Sequence, residues 1–484
     1  MKSKPFFLFI FFCFIAHSKA ILIAQNPTVE VRAVWLSTMW GLDWPTQNIS
    51  SEKQKEELCS ILDRLKASNF NTVFFQARLR GDTFYFSDIE PFSRYANQNF
   101  DPLAFAIEEC HRRGLECHAW FVTYPLGNKK HVSSLGLKSV VKKKPEICKL
   151  YNGEWYLDPG NPETRQYILS LVDEIVKKYD IDGIHFDYIR YPEKANRFPD
   201  SDNYKRYGKG LTIEDWRRNN ISILVSEVYD SVKKNKPWVQ VSSSPIGLYK
   251  NLESGGGVWT AYSSVFQDAG FWLKNGKHDA IYPMMYYKDN LFYPYLEDWL
   301  KNSNGRIVAP GLGAYRLLPA EQNWTSKDIT DQIDFSRKVQ SSGQAFFRTA
   351  NVVDNLKGLG TSLSEKYYKH PAKLPAMRWL NNSAPNSPVN LQVYSPQKGK
   401  LILSWLPSDS TIEQNYTVYY SDSEDIDIND PRNILVTGIR SNQITLNIQH
   451  GEYGLYYTVT ASDRYHNESV ICPSAFFSHA DYLK

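Results

Sequence analysis

The sequence predicts an α/β chain, a (β/α)8 barrel followed by a small all-β sandwich. Three observations carry this. Strand-like apolar runs and helical patterns alternate eight times over roughly 320 residues, the size of a barrel with inserted loops. Polar residues collect where those strands end, which is the face that carries the active sites of such barrels. Near residue 380 the composition shifts to turn formers, Asn381-Asn-Ser-Ala-Pro-Asn-Ser-Pro388, and short alternating runs follow. An open doubly wound sheet competes, but no Gly-x-Gly-x-x-Gly turn follows the first strand, so its nucleotide-binding versions lose support.

In chain order, Glu30 to Thr38 is the first strand and leads into an aromatic loop, Trp40 to Trp44. Ser50 and Ser51 cap a helix in which Leu58, Ile61, Leu62 and Leu65 recur at helical spacing. Thr72 to Arg78 is strand two, and its loop carries Arg80-Gly-Asp82 and Glu90-Pro-Phe-Ser93. Asp101-Pro102 opens a helix that ends in Arg112-Arg113-Gly114. Glu116 to Thr123 is strand three, and Asn161-Pro162 starts the next helix. Asp182-Gly-Ile-His-Phe-Asp-Tyr-Ile-Arg-Tyr-Pro192 is strand four and its exit, stopped by a proline that has no N–H to donate. Strands five to eight are expected at 239–245, 280–287, 307–315 and 343–348, with helices at about 214–234 and 326–341.

Six short alternating strands are expected between Val389 and Ser462, which describes a β-sandwich of about 100 residues. Pro388, Trp405, Tyr416-Thr-Val-Tyr-Tyr420 and Tyr456-Tyr-Thr-Val-Thr-Ala461 resemble a fibronectin type III domain, in which such Trp and Tyr residues are core. The resulting division is a signal peptide at 1–20, a barrel at 29–375, a linker at 376–388 and the sandwich at 389–480.

The N-terminus reads as a secretory signal. Lys2 and Lys4 precede the apolar run Phe6 to Ile15, and Ser18-Lys19-Ala20 offers small residues for cleavage. The run is too short to span a membrane. Cys13 within it lacks lipoprotein-site neighbours, so an exported, soluble protein is expected, periplasmic or extracellular. Net charge is +4 and falls to about +1 without Lys2, Lys4 and Lys19; with no basic patch, a nucleic-acid partner is not expected. The remaining cysteines, odd in number and scattered, describe neither a disulfide framework nor a metal site. Aromatics make up 14% of the chain, a tilt towards sugar stacking that core packing also explains.

The strand ends offer Gln76 and Arg78, with Asp82 and Glu90 on the loop beyond, then His118 and Trp120, then His185, Asp187, Tyr188 and Arg190, and Tyr286. Alternation puts His185 and Asp187 on one face of their strand and Tyr188 and Arg190 on the other. A metal hydrolase is disfavoured, since His118 and His185 are too few and no His-x-His occurs. Ser242-Ser-Ser244 is not a nucleophile elbow. A carboxylate-pair glycosidase fits better, with no metal or cofactor expected. Asp187 is the expected ionised carboxylate, because Arg190 or Arg78 nearby would lower its pKa; the alternative is a structural ion pair. Glu90, among Phe86, Pro91 and Phe92, is an acid by the apolar-environment rule, or else a surface glutamate.

Val31-Arg-Ala-Val-Trp-Leu36, Phe75-Gln-Ala-Arg78, Gly81-Asp82, Glu90-Pro-Phe-Ser93, His111-Arg-Arg-Gly-Leu-Glu-Cys-His-Ala-Trp120 and Asp182 to Pro192 resemble the bacterial glycosyl-hydrolase-like family 10 over about residues 29–375. The resemblance implies a (β/α)8 barrel and glycoside hydrolysis, with bacterial cell-wall glycan strands as one substrate class. Asp187 and Glu90 are the acidic residues it points to, and Gln76, Arg78, Asp82, His118, Trp120, His185, Tyr188, Arg190 and Tyr286 the expected cleft. The sequence departs from the family pattern at Gln76-Ala-Arg-Leu79 and at Pro283-Met-Met-Tyr286. The function expected is an exported hydrolase of a polysaccharide; the alternative is a glycan-binding barrel without turnover.

Overall fold

Eight apolar runs form eight parallel strands among the residues that the computed structural model describes, 26–253, 257–409, 414–447 and 454–478. The secretory signal expected at residues 1–20 lies outside the described residues. The strands are β1 (Val31–Leu36), β2 (Thr72–Arg78), β3 (Glu116–Val122), β4 (Gly183–Asp187), β5 (Gln240–Ser243), β6 (Ala280–Ile281), β7 (Ile307–Val308 and Gly311–Leu312) and β8 (Gly343–Phe346). Each pairs in parallel with its successor from β1 to β6. The two halves of β7 pair with β6 and β8, and β8 pairs with β1, so the sheet closes on itself. Gly343 makes this last join possible. Its φ of +138° suits glycine, and a Cβ there would lie 2.1 Å from the carbonyl oxygen of Val31.

Strands six and seven are shorter than the sequence predicts. Pro283 and Pro310 fall inside the expected runs, and neither has an N–H to add to the ladder. The regular pairing of β6 ends at Ile281, with isolated bridges further on from Met284 to Ile246 and to Gly311.

The helices begin where the capping residues predict. In α1 (Ser51–Ala67) the Ser50 hydroxyl accepts from the Lys53 N–H, and in α2 (Pro102–Arg112) the Asp101 carboxylate accepts from Ala104 N–H. Asn161 caps α3 (Pro162–Lys178) and Thr212 caps α4 (Ile213–Asn235). The outer ring continues through α5 (Ala269–Lys274), α6 (Tyr293–Lys301) and α7 (Ser326–Lys338). Among the described residues no helix is long and apolar enough to cross a membrane.

The barrel interior is a packed column. Val31, Ala33, Trp35, Phe74, Trp120, Ala280, Tyr282, Ile307, Ala309 and Ala345 form one buried cluster. Met377 joins that cluster, and Trp379 donates to the Asp279 carboxylate at 2.9 Å. The start of the expected linker is therefore packed against the barrel.

Beyond it, β9 (Val389–Tyr394), β10 (Lys400–Leu406) and β13 (Gln443–Asn447) form one antiparallel sheet. A second comprises β11 (Asn415–Ser421), β12 (Ile434–Ile439), β14 (Leu455–Ser462) and β15 (Ala475–Phe477), the last of which the sequence pattern did not predict. Leu401, Leu403, Trp405, Val418 and Val459 form their shared core.

These sheets dock on the N-terminal face of the barrel through charge. Arg440 pairs with Asp182 at 2.6 Å, Arg464 with Asp180 at 3.0 Å and His466 with Glu116 at 2.5 Å. Burial alone would raise the Glu116 carboxyl, but the His466 charge and hydrogen bonds from His118 and His466 hold it at about 2. Burial would also raise Asp182, yet Arg440, His111 and Arg464 hold it well below the usual carboxylate range. Burial would lower His466, and Glu116 raises it above its ordinary 6.5. The carboxylates add stability above their ordinary pKa near 4, lost as pH falls through the depressed values. His466 adds stability below pH 6.5, lost as pH rises through its raised value. The docking is thus strongest between about pH 4 and 6.5. We expect His466→Gln to cost most unfolding free energy near pH 5.5 and progressively less towards pH 9, read by denaturant titration across pH. A cost that does not vary with pH counts against the His466–Glu116 contribution.

Candidate active site

At the C-terminal ends of the strands the interior column stops, and a cavity of about 190 Å³ opens above it. Trp35, Ser37, Gln76, Trp120, Asp187, Ser244 and Tyr286 line it, one or more from each of six strand ends, together with Arg80 and Tyr188 from the loops. A second cavity of about 360 Å³ shares Arg80, Pro125 and Tyr188 with the first, so the two form one groove. A three-stranded sheet in the β3–α3 loop (Pro125–Asn128, Cys148–Tyr151 and Glu154–Leu157) walls this second part.

Asp187 is the last residue of β4 and is 6% exposed. Its Oδ1 accepts from the Tyr188 N–H at 2.7 Å and the Ser244 hydroxyl at 3.1 Å, and its Oδ2 from the Trp120 indole N–H at 3.2 Å. Burial dominates its titration and raises the carboxyl above its ordinary value; the Tyr188 N–H, Arg190, Ser244 and Trp120 oppose this only in part. The sequence reading of Asp187 as the lowered, ionised partner is therefore corrected. Arg190 makes no ion pair with it, and Arg78 is committed elsewhere. A buried carboxyl with a raised pKa, opening on a cleft, is suited to donate a proton.

Glu90 is the larger correction. Both of its oxygens are taken by the Arg78 guanidinium at 2.7 Å, and Oε1 also accepts from the Tyr167 hydroxyl at 2.9 Å. Both side chains are fully buried. Arg78 also donates to the carbonyls of Val122 and Thr123. The pair ties the β2 loop to the end of β3 and lines neither part of the groove. The apolar sequence neighbours of Glu90 give no sign of the guanidinium that sits behind the loop.

Two histidines also lie elsewhere than expected. His185 sits one layer below Asp187, where Nε2 accepts from the Trp35 indole at 3.0 Å. Its Nδ1 must then carry the proton and donate to Ser242 Oγ at 3.0 Å. Burial holds it neutral, well below its ordinary pKa. His118 lies lower still, 2.9 Å from Glu116, with its ring against Gly183, where a Cβ would approach Nδ1 to 2.3 Å. Strand register explains both positions: His118 is level with Gly183, and Trp120 with His185.

The other expected residues fall in or beside the groove. Gln76 lines the cavity and uses Oε1 to hold the Ser37 hydroxyl and the Thr38 and Met39 N–H groups, each at 3.0 Å. Trp120 lines the floor with its N–H spent on Asp187. Tyr286 stacks on Phe347 at 5.8 Å between ring centres. Asp82 borders an adjoining cavity with Arg80, His131 and Trp40; burial would raise its carboxyl, but His131 at 3.5 Å holds it low. Tyr188 departs from the alternation rule. Its φ of +50° ends the strand, and it joins Asp187 in the cavity lining with 39% of its surface exposed. Arg190 borders the second cavity. Arg80, Phe347 and the Tyr151–Tyr156 hairpin were missed as site residues; the only sequence signal for Arg80 was its place in Arg80-Gly-Asp82. Among the described residues no group of three or more His, Cys, Asp or Glu is placed to hold a metal ion.

The sequence profile of the family described as Glycosyl hydrolase-like 10 matches residues 30–304. The chain is 32% identical over 474 residues to Glycosyl hydrolase YngK of Bacillus subtilis (strain 168), covering 91% of this chain and 92% of that protein. It is 31% identical over 378 residues to Glycosyl hydrolase DigH of Escherichia coli (strain K12), covering 69% of this chain and 86% of that protein. The glycoside hydrolase domain of PgaB (BpsB) from Bordetella bronchiseptica superposes with a TM-score of 0.50 over 70% of this chain and 99% of that one. At 14% identity that likeness is one of fold.

Two outcomes test this geometry. Glu90→Gln is expected to cost about 3–5 kcal/mol of stability, because it leaves the Arg78 charge buried without its partner. An unchanged denaturation midpoint would return Glu90 to consideration as a reacting group. Ser244→Ala removes a donor to the ionised form and should move the Asp187 titration to higher pH, followed by its carboxyl infrared band against Asp187→Asn.

Proposed function

Because the chain belongs to the glycosyl hydrolase-like 10 family, we propose that it is an exported glycoside hydrolase that cleaves a polysaccharide, with bacterial cell-wall glycan strands as substrate. The carrying observation is Asp187, a buried carboxyl held by three donors at the floor of a groove lined by aromatic rings. Asp187 protonates the glycosidic oxygen of the leaving sugar, and burial, which raises its carboxyl above the ordinary value, favours the protonated form that this step needs. Gln76 and Ser244 keep the floor in register, and Tyr188 and Tyr286 offer faces to sugar rings. In a two-carboxylate mechanism the second group comes from the groove's loops, Glu154 or Glu193, since Glu90 is sequestered. The chain divides into the barrel at 29–375, a connecting segment at 376–388 and a fibronectin type III-like unit at 389–480. Trp405 packed edge-on to Tyr416 at 5.2 Å supports that last reading. Export rests on the charged and apolar pattern of residues 1–20.

A second reading, a glycan-binding barrel without turnover, draws on one feature. Among the described residues, Asp187 is the single carboxylate lining the inner cavity. Incubation with a panel of glycans and mass spectrometry of the products separates the two. Hydrolysis lost by a factor of about 10³ or more in Asp187→Asn, with the fold retained, is the expected result. Binding without any cleavage by the wild type selects the second reading. Between Glu154→Gln and Glu193→Gln, one is expected to lose turnover comparably and the other to retain it; loss in neither removes the two-carboxylate scheme.

A further inference from the structure

Arg190 is a buried cation that the chemistry above does not use. It is 8% exposed, yet it makes no ion pair among the described residues. Its Nη1 donates to the Tyr191 carbonyl at 3.2 Å, and its Nε is buried without a hydrogen-bond partner. The guanidinium lies over the Tyr188 ring at 4.8 Å. Other buried guanidinia in this barrel are treated differently: Arg78 is matched to Glu90, and Arg217 to Asp200 at 2.7 Å. A buried guanidinium without an ion-pair partner is costly, and such cost is kept where a ligand supplies the missing partner.

The position says where that ligand lies. Arg190 borders the second cavity with Arg80, Tyr151, Tyr156 and Tyr188, next to the pocket of Asp187. We propose that this is a subsite for a carboxylate carried by the sugar adjoining the cleaved bond, with Arg190 as its charge partner and Tyr188 as the platform beneath the guanidinium. The inference takes only the location of the cleaved bond from the function proposed above. A carboxylate fits because it presents two oxygens in a plane to a planar fork of donors. A doubly charged group fits less well, since Glu154 and Glu193 border the same cavity; Arg80 is partly offset by Glu154 at 3.4 Å. The carboxylate has two chemical sources, a uronic acid or an acid attached to the ring through an ether.

The test is calorimetric binding of the full chain to three probes. These are N-acetylhexosamine strands bearing lactyl-ether carboxylates, the same strands with those carboxylates reduced to alcohols, and hyaluronan, which carries uronates. Wild type should bind at least one carboxylated chain about 10- to 100-fold more tightly than the reduced strands. Arg190→Gln should erase that difference while binding the reduced strands as the wild type does, and Arg190→Lys should restore part of it. Whichever carboxylated chain binds more tightly identifies the source. Equal wild-type affinity for charged and reduced strands overturns the proposal, as does absence of binding to all three. A parallel loss on both kinds of strand in Arg190→Gln also overturns it, since that is a structural role. If charge-dependent binding is present but mass spectrometry finds no cleavage, the subsite stands and the hydrolase reading fails.

Discussion

A closed barrel has to be filled, and the filling of this one determines where its chemistry lies. Trp35, His185 and Ser242 form a hydrogen-bonded chain across the interior directly beneath Asp187. With His185 neutral and both its nitrogens engaged, the layer has no spare polar group and no charge. Below it, bulky aromatic and aliphatic side chains close the column as far as Met377. Above it, packing ends at Asp187, which is held by one backbone and two side-chain donors. The carboxyl is therefore fixed in place while its burial keeps it from ionising easily. The position of the carboxyl and the direction in which its titration moves have the same origin, the burial that a packed column imposes at its upper end.

The contrast between Asp187 and Glu90 shows how little a carboxylate's sequence neighbours reveal. Both follow barrel strands and both have aromatic neighbours. Glu90 meets a guanidinium and a phenol and becomes a structural tie between the β2 loop and β3. Asp187 meets only hydrogen-bond donors without an ion pair, and opens on a groove. Breaking the first is expected to be felt as instability, and altering the second as chemistry, because an unpaired buried cation has no other outlet.

The C-terminal sheets occupy the opposite end of the molecule from the groove. Asp182 begins the turn into β4 and Glu116 begins β3, so the ion pairs with Arg440, Arg464 and His466 lie on the N-terminal face. One strand, β4, thus carries the docking charge just before its start and the groove-facing carboxyl of Asp187 at its end. The docked sheets leave the loop face, and the groove in it, uncovered.

Much of this was determined by sequence alone. The alternation of apolar runs, the caps at Ser50, Asp101 and Asn161, and the Asp182–Pro192 stretch are local signals, read from period and turn chemistry within a few residues. They sufficed for the barrel, for the sheets beyond it and for Asp187 at a strand end. What they could not decide depended on partners far away in the chain. Arg78 is held by carbonyls of Val122 and Thr123, and Glu90 by Tyr167; neither contact leaves a local trace. The layer on which His118 or His185 falls depends on the shear of the closed sheet, not on strand membership. Tyr188 joins Asp187 only because its backbone turns left-handed after the last pairing. The sequence alone determined which carboxylate to examine; tertiary structure decided its protonation, its neighbours and the unpaired arginine beside it, because burial and charge pairing are properties of the assembled fold.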